Sequence, residues 1–376
     1  MVLEKGKPTT YPVLYTFWRK KGRKRFTYDS TLEEVTKATV RLNFVAESVD
    51  PSDPTSPWLT AHPKAIKAVR KVLGKSDHEA HEGVNTGGAN AVYWVDIVYK
   101  HTDGLVVVRN ITEGAKVKVD EVTEPIEPDL LYPLLRGRDV QRWKAEPSAW
   151  ILITHLPGMG LKAIPEKEMQ TDYPRTYGYL KRFEEVLRER AAFKRYFTRK
   201  DKNGRIVETG PFYSMFDVGT YTFALWEVVW PNIASALNAA VVASSEGKVV
   251  VPQHIVTLVA CETEDEAHYI CALINSSSAN FTARAYSQEG GKSFGDPHIL
   301  EHILIPRFDP KNPVHLRLAE LSMQAHEAGR IGDEMRLREI EAEIDLLAAK
   351  LWNLSDDELR EIQESLSELE GEEVTE

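Results

Sequence analysis

The sequence predicts an α+β fold with a mixed-sheet body and a helical, acidic C-terminal tail. Three observations predict it. Short β-type runs bounded by turns recur between residues 91 and 260, helical apolar spacing interrupts them, and from Pro313 the helical pattern continues almost to the end. No segment repeats. At 376 residues, 42% hydrophobic and 28% charged, the chain is about two domains long at ~150 residues each and buries a real core.

Residues 1–30 read as two strands around a basic turn. Val13, Tyr15 and Phe17 alternate before it, Phe26 and Tyr28 after it, and Gly22 sits at the tip. Residues 31–46 read as a helix, with Leu32, Val35, Ala38, Val40 and Leu42 as a loose apolar stripe. Pro51, Pro54 and Pro57 make residues 49–57 an extended loop. A helix over residues 63–73 stops at Gly74. Strands are predicted over residues 91–99, 104–110, 149–154, 228–230, 239–243, 249–251 and 255–260, with helices over 173–190 and 265–275. Ser355-Asp356-Asp357-Glu358 is a capping box that opens the last helix.

Composition excludes several classes. No apolar run approaches the ~18 residues that cross a bilayer, and the Met-Val-Leu-Glu-Lys-Gly-Lys start lacks a signal-peptide core. The expectation is a soluble, cytoplasmic protein with no membrane partner. Cys261 and Cys271 are too few for a disulfide framework or a four-thiolate zinc site and read as buried, inert thiols. The net charge of −10 is unevenly spread: residues 331–376 hold 4 Lys+Arg against 16 Asp+Glu, so the first 330 residues carry +2. The first 40 residues hold 9 basic against 4 acidic groups, mostly in Arg19-Lys20-Lys21-Gly22-Arg23-Lys24-Arg25. Net charge governs solubility and steering, whereas a local basic patch governs phosphate contact.

Two motifs are decoys. His298-Ile-Leu-Glu301-His302 has the spacing of an inverted zinc-protease motif, but zinc hydrolysis would need an α-helix there and a third ligand. A short helix with both histidines on a polar face is the plainer reading. Gly158-Met-Gly160-Leu-Lys-Ala163 follows a strand, yet a nucleotide site would need a helix N-terminus at once, and the helix is predicted only near Tyr173.

Three loops combine glycines with groups suited to nucleic acid. In Gly83-Val84-Asn85-Thr86-Gly87-Gly88-Ala89-Asn90, the glycines permit tight turns and close approach, while Asn85, Thr86 and Asn90 can bond bases or phosphates or simply cap the turn. Leu134–Trp143 offers Arg136, Arg138, Arg142 and the Trp143 face, either for binding or as an ion-paired loop over a core tryptophan. Arg284 leads to Lys292, Ser293 and Phe294 in a third glycine-rich loop.

In this order these segments resemble the C-terminal target-recognition region of adenine-specific DNA methyltransferases of the Eco57I and TaqI type. Gly83–Asn90 matches that family's glycine loop with one extra residue, and Leu134–Trp143 matches its Leu-x-Arg-Gly-x-Asp segment. Glu227–Trp230 matches a strand in which a lysine is usual at the position of Glu227. Asn275-Ser276-Ser277, Leu304-Ile305-Pro306 and the helix 343–355 follow in the family's order, and residues 2–8 look like the last strand of its catalytic domain.

The resemblance implies three parts: residues 1–50 as edge strands left from a catalytic domain, 51–312 as the mixed-sheet target-recognition domain, and 313–376 as the helical C-terminal segment. It implies double-stranded DNA as partner; by residue type, Arg19, Lys20, Lys21, Arg23, Lys24 and Arg25 would then lie on phosphates. Asn85, Asn90, Arg136, Arg138 and Lys292 would read base edges, framed by Thr86, Gly87, Gly88, Arg142, Trp143, Arg284, Ser293 and Phe294. These enzymes stack a flipped adenine on an Asn/Asp-Pro-Pro-aromatic motif and hold S-adenosylmethionine in a glycine-rich turn. The sequence has no Pro-Pro pair. The expectation is that no cofactor, metal or catalytic residue lies on this chain, and that S-adenosylmethionine belongs to a missing or partner catalytic domain, such as a separate methyltransferase subunit. The alternatives are an assembly subunit that docks a methyltransferase through its acidic helices and, more remotely, the zinc hydrolase.

Overall fold

The computed structural model describes residues 8–22, 25–53, 55–159, 162–245, 247–286 and 294–370. The expectations placed on residues 2–7, Arg23, Lys24, Lys292 and Ser293 lie outside them.

The chain opens with β1 (Val13–Lys20), α1 (Leu32–Lys37), β2 (Thr39–Ser48), β3 (Trp58–Ala61), α2 (Pro63–Val72) and β4 (His81–Glu82). The partner of β1 is β2, antiparallel from Val13↔Ala46 to Lys20↔Thr39, and this corrects two expectations. No strand forms at Phe26 and Tyr28, because Ser30 N–H turns back to Thr27 O and Thr31 caps a helix through a reciprocal box with Glu34. That helix ends at Lys37. Beyond it, Val40, Leu42 and Phe44 follow period two rather than 3.6, and pairing with β1 resolves the ambiguity in favour of strand. Residues 49–53 and 55–57 form the loop expected there, turned by Asp50 and Asp53 side chains that accept from the Ser52 and Thr55 amides.

The middle of the chain contains α3 (Asn90–Tyr93), β5 (Trp94–Lys100), β6 (Val106–Asn110), β7 (Thr123–Ile126), β8 (Leu131–Leu135), β9 (Val140–Gln141), β10 (Lys144–Ala145) and β11 (Ala149–Leu152). Next come α4 (Glu166–Asp172), α5 (Pro174–Lys181), α6 (Glu184–Glu189), α7 (Ala191–Tyr196), β12 (Thr198–Lys200) and β13 (Ile206–Glu208). The predicted 91–99 strand thus begins with a helical turn, and the predicted helix 173–190 is two helices. The helical region also starts at Glu166, earlier than predicted. The last third adds β14 (Trp226–Pro231), β15 (Ala240–Val242), β16 (Val251–Pro252), β17 (Val256–Cys261), α8 (Glu264–Asn275), α9 (Ser277–Tyr286), α10 (Pro313–Ile331), α11 (Glu334–Leu351) and α12 (Asp356–Glu370).

The fold is α+β. The largest sheet runs β16-β8-β11-β5-β6-β7 and is mixed: β16 lies parallel to β8 and every other pairing is antiparallel. Val95, Val108 and Ile151 of this sheet share a core with Met169, Leu180, Leu187 and Phe193 from the helices that follow. A second sheet, β15-β14-β17-β4, is antiparallel. Its Val228, Trp230 and Val259 pack with α8, α10 and α11, while Val229 and Leu258 meet Leu135, Val140 and Val250. The second sheet is therefore buried on both faces, and the sheet-rich and helical parts are pressed together through it.

The acidic tail is folded back. Ile362 of α12 is fully buried with Ile66, Val69 and Phe281 in a core that also holds Val45 and Leu59. Around that seam Glu361 pairs with Lys64 at 2.7 Å, Glu358 with Lys71 at 2.7 Å and Glu368 with His62 at 2.8 Å. Exposed pairs of this kind contribute little, so the apolar seam holds the helix and the charges set its register. No helix among the described residues is long and apolar enough to cross a membrane.

Candidate nucleic-acid interface

The glycine loop is clamped by backbone. Gly83 N–H donates to Val256 O, Val84 N–H to Pro252 O, and Asn85 exchanges both backbone bonds with Phe216 at 3.0 and 2.9 Å. A Cβ at Gly83 would lie 2.3 Å from Pro252 O, so only glycine fits between these strands. Gly87 follows at φ +68°, its N–H donating to Asn85 Oδ1 at 2.9 Å. Thr86 is buried and its hydroxyl meets Asn90 Oδ1 at 2.5 Å. Asn85, Thr86 and Asn90 thus shape the turn, the second of the two roles the sequence allowed. Arg190 holds it from behind, donating to Thr86 O, Phe212 O and Leu187 O. At Gly88 the chain faces open space, and a Cβ added there would meet no atom within 4 Å.

The Leu134–Trp143 segment divides. Arg136 is committed to Ser148, through Nη2 to Oγ at 2.6 Å, while its amide donates to Asp139 Oδ2. Arg142 Nε and the Trp143 indole N–H both donate to Glu341 Oε1 of α11, at 2.5 and 2.6 Å. Trp143 is 1% exposed and sits in the helical core at φ +62°. It is therefore a core residue and not a stacking face. Only Arg138 presents its side chain, 71% exposed, with Asp139 at 3.9 Å. Two further expectations change in the same way: Arg284 is buried in α9, and Phe294 is 1% exposed within the helical core.

The N-terminal basic turn is open. Lys20, Lys21 and Arg25 are exposed, Arg19 is half-buried, and none forms an ion pair with a described residue. Lys20 Nζ lies 5.3 Å from the Phe26 ring centroid, and Arg41 lies 4.1 Å from that of the half-exposed Trp18. The β1–β2 ribbon thus carries cations and aromatic rings toward solvent.

The decoys resolve on geometry. His298 and His302 lie in and after a 3-10 turn, Pro297–Glu301. His298 Nδ1 pairs with Glu301 Oε1 at 3.0 Å, and His302 stacks on Tyr286 at 3.7 Å. No group of three or more His, Cys, Asp or Glu able to hold a metal exists among the described residues. After Gly158, the helix α4 starts after Pro165, with no side-chain cap, and carries Glu166 and Glu168 in its first turn, whose carboxylates oppose a phosphate there. Cys261 and Cys271 are free and buried; burial pushes both thiols up, Cys271 to about 12.

One buried charge was noticed in the sequence only as a departure from the family pattern. Glu227 is 1% exposed in the middle of β14, between Val242 and Ala260, and neither carboxylate oxygen has a hydrogen-bond partner among the described residues. Burial alone raises its pKa well above the ordinary carboxylate value. A basic segment without a recognised motif, residues 194–205, runs from the end of α7 through β12 and the turn of the β12–β13 hairpin.

The α+β chain thus combines a folded-back acidic tail with exposed cations on a ribbon and on loops. No protein-family model matches the sequence. Over 155 residues it is 28% identical to the Type II methyltransferase M.NspV of Nostoc sp. (strain ATCC 29411 / PCC 7524), covering 41% of this chain and 29% of that protein. Part of the chain is thus similar in sequence to a Type II methyltransferase, and the match spans less than a third of that relative. Among solved structures, the Type IIL restriction-modification enzyme MmeI in complex with DNA aligns with 80% of this chain and 37% of its own, at a TM-score of 0.42 and 9% identity.

Proposed function

We propose that this chain is the DNA target-recognition part of a site-specific adenine-N6 methyltransferase or restriction–modification enzyme. The observation that carries the reading is the sequence relation to a Type II methyltransferase. The exposed cations of the β1 turn support it. In this reading Lys20, Lys21 and Arg25 bind phosphates and set register, while Arg138 and the open backbone at Gly88 approach base edges. The S-adenosylmethionine pocket and the pocket for the extruded adenine belong to a catalytic part outside this sequence, because methyl transfer needs both reactants pre-oriented.

Titration of duplex DNA at several salt concentrations tests the reading. Binding should weaken as salt rises, and Lys20→Ala/Lys21→Ala should shallow the log–log slope by ~2. Absence of binding at low salt, or binding indifferent to salt, overturns it. Methyl transfer to adenine by the purified chain alone overturns the assignment of the reactive pockets elsewhere. A second reading, an assembly subunit docking a catalytic partner, is favoured by Leu14, Tyr28 and Leu32, which stand 72–102% exposed around the β1–β2 ribbon.

A further inference from the structure

We propose that the β12–β13 hairpin and the end of α7 that leads into it are a second duplex-DNA contact, whose Arg195, Arg199, Lys200, Lys202 and Arg205 lie along the rim of the major groove; this rests on the DNA-binding reading above. Residues 194–205 hold six basic groups and one acidic group. The hairpin is short and stands out from the body: β12 and β13 pair only through Thr198↔Glu208, Arg199↔Val207 and Lys200↔Ile206. All five cations are exposed.

The nearby carboxylates are already spoken for. Asp201 Oδ1 accepts from the amides of Asn203 and Arg205 and so caps the turn, which closes through Gly204 at φ +77°. Glu208 pairs with Arg188, and Glu189 with Lys194 at 2.5 Å. None of the five cations has an ion-pair partner among the described residues. A concentration of unneutralised like charge on one small projection repels itself, and a polyanion relieves it.

Two further observations give the surface its direction. Tyr196, just before the hairpin, and Ile206, beside its turn, are 59% and 72% exposed, and the Arg195 guanidinium lies 5.1 Å from the Tyr196 ring centroid. Tyr196 and Phe197 also pack on Phe216, at 5.7 and 5.2 Å between ring centroids. Phe216 is the residue whose backbone pairs with Asn85. The basic hairpin and the glycine loop are therefore fixed to each other through one residue. B-form DNA admits a two-stranded ribbon into its major groove of ~12 Å, whereas the A-form groove of duplex RNA is too narrow, so the shape favours DNA.

The experiment compares the full chain with Arg199→Ala/Lys202→Ala/Arg205→Ala and with a control of equal charge change, Lys67→Ala/Lys116→Ala/Lys118→Ala. The probe is a fluorescent mixed-sequence DNA duplex, titrated over a range of salt, beside an RNA duplex of the same sequence. Loss of three phosphate contacts should shallow the slope by ~2.7 for the hairpin variant and leave the control unchanged. Lysine acetylation of the wild-type chain, which needs no variant, should be suppressed at Lys200 and Lys202 by DNA while Lys67 and Lys116 stay reactive. Salt-dependent binding with an unchanged hairpin slope and unprotected lysines overturns this proposal and leaves the DNA reading standing. No duplex binding by wild type at low salt overturns both. Tighter binding of the RNA duplex overturns the assignment to DNA.

Discussion

Replacing Glu227 by Gln makes the sharpest test of the packing described above. The carboxyl lies in the centre of a sheet buried on both faces, and the only influence on it is desolvation. In the unfolded chain it titrates near ~4.3, like any glutamate. A folded-state pKa raised above the unfolded one means that the folded chain holds the proton more tightly. Its stabilising effect is therefore complete at pH below the unfolded value and is lost as pH rises toward the folded one. The loss is up to about 1.4 kcal/mol per pH unit across that window. Glutamine copies the shape of the neutral acid but cannot ionise. The two proteins should have matching stability only below the unfolded value of ~4.3, and the variant should become progressively more stable than wild type from there toward pH 8. Urea unfolding, followed by fluorescence of Trp226 and Trp230 on the same strand, measures the difference. Glu227→Leu should go further and stabilise at every pH, by about 1–3 kcal/mol, since it deletes an unsatisfied buried polar group. Parallel pH profiles for wild type and Glu227→Gln would refute the claim that the carboxyl is isolated.

Two other perturbations follow from the same geometry. Gly83→Ala places a methyl 2.3 Å from Pro252 O, against backbone that cannot yield, and should cost about 3 kcal/mol or more, whereas Gly88→Ala meets open space and should cost only the ~1–2 kcal/mol of a left-handed residue; equal melting temperatures for the two variants would contradict this. His326 accepts from Val241 N–H through Nε2 and donates to Ser322 O through Nδ1, and burial lowers its pKa and that of His268, the latter to about 3. Folded-state depression means stability present above the unfolded value of ~6.5 and lost as pH falls below it, so His326→Gln should flatten the acid limb of an unfolding-versus-pH curve, and an unaltered limb would count against it.

Local chemistry made much of this fold legible. The α2, α8 and C-terminal helices follow from caps and apolar spacing, and α10 starts where Pro313 occupies its first turn. β2 was not legible, since Val35, Ala38 and Leu42 keep helical spacing while Val40, Leu42 and Phe44 keep strand spacing. Eight residue pairs with β1 decide between them. The β12–β13 hairpin did carry a signal, Asn203-Gly204 between Thr198 and Ile206, but its strands are short and mostly charged. For the candidate interface, residue type was readable and orientation was not. Arg142 and Trp143 lose their availability to Glu341, 199 and 198 positions away, and no window along the chain contains that partner. Arg136 is taken by Ser148, near in sequence but brought into reach by the β8–β11 pairing.

The overall charge of −10 is a poor guide to what this surface attracts, and the packing of α12 explains why. Glu358, Glu361 and Glu368 are spent on Lys71, Lys64 and His62, so the acidic tail and the basic face of α2 neutralise one another locally. Arg317 likewise binds Glu343 and Glu320 within the C-terminal helices. What remains unpaired on the ribbon and the hairpin is positive, and at physiological salt a charge is felt over only ~8 Å. An approaching phosphate therefore meets the cations of one projection at a time, and carboxylates farther off than that length do little to oppose it. On this argument, removing the exposed carboxylates of the tail should alter solubility much more than affinity for a polyanion, whereas a similar number of substitutions on the hairpin should do the reverse.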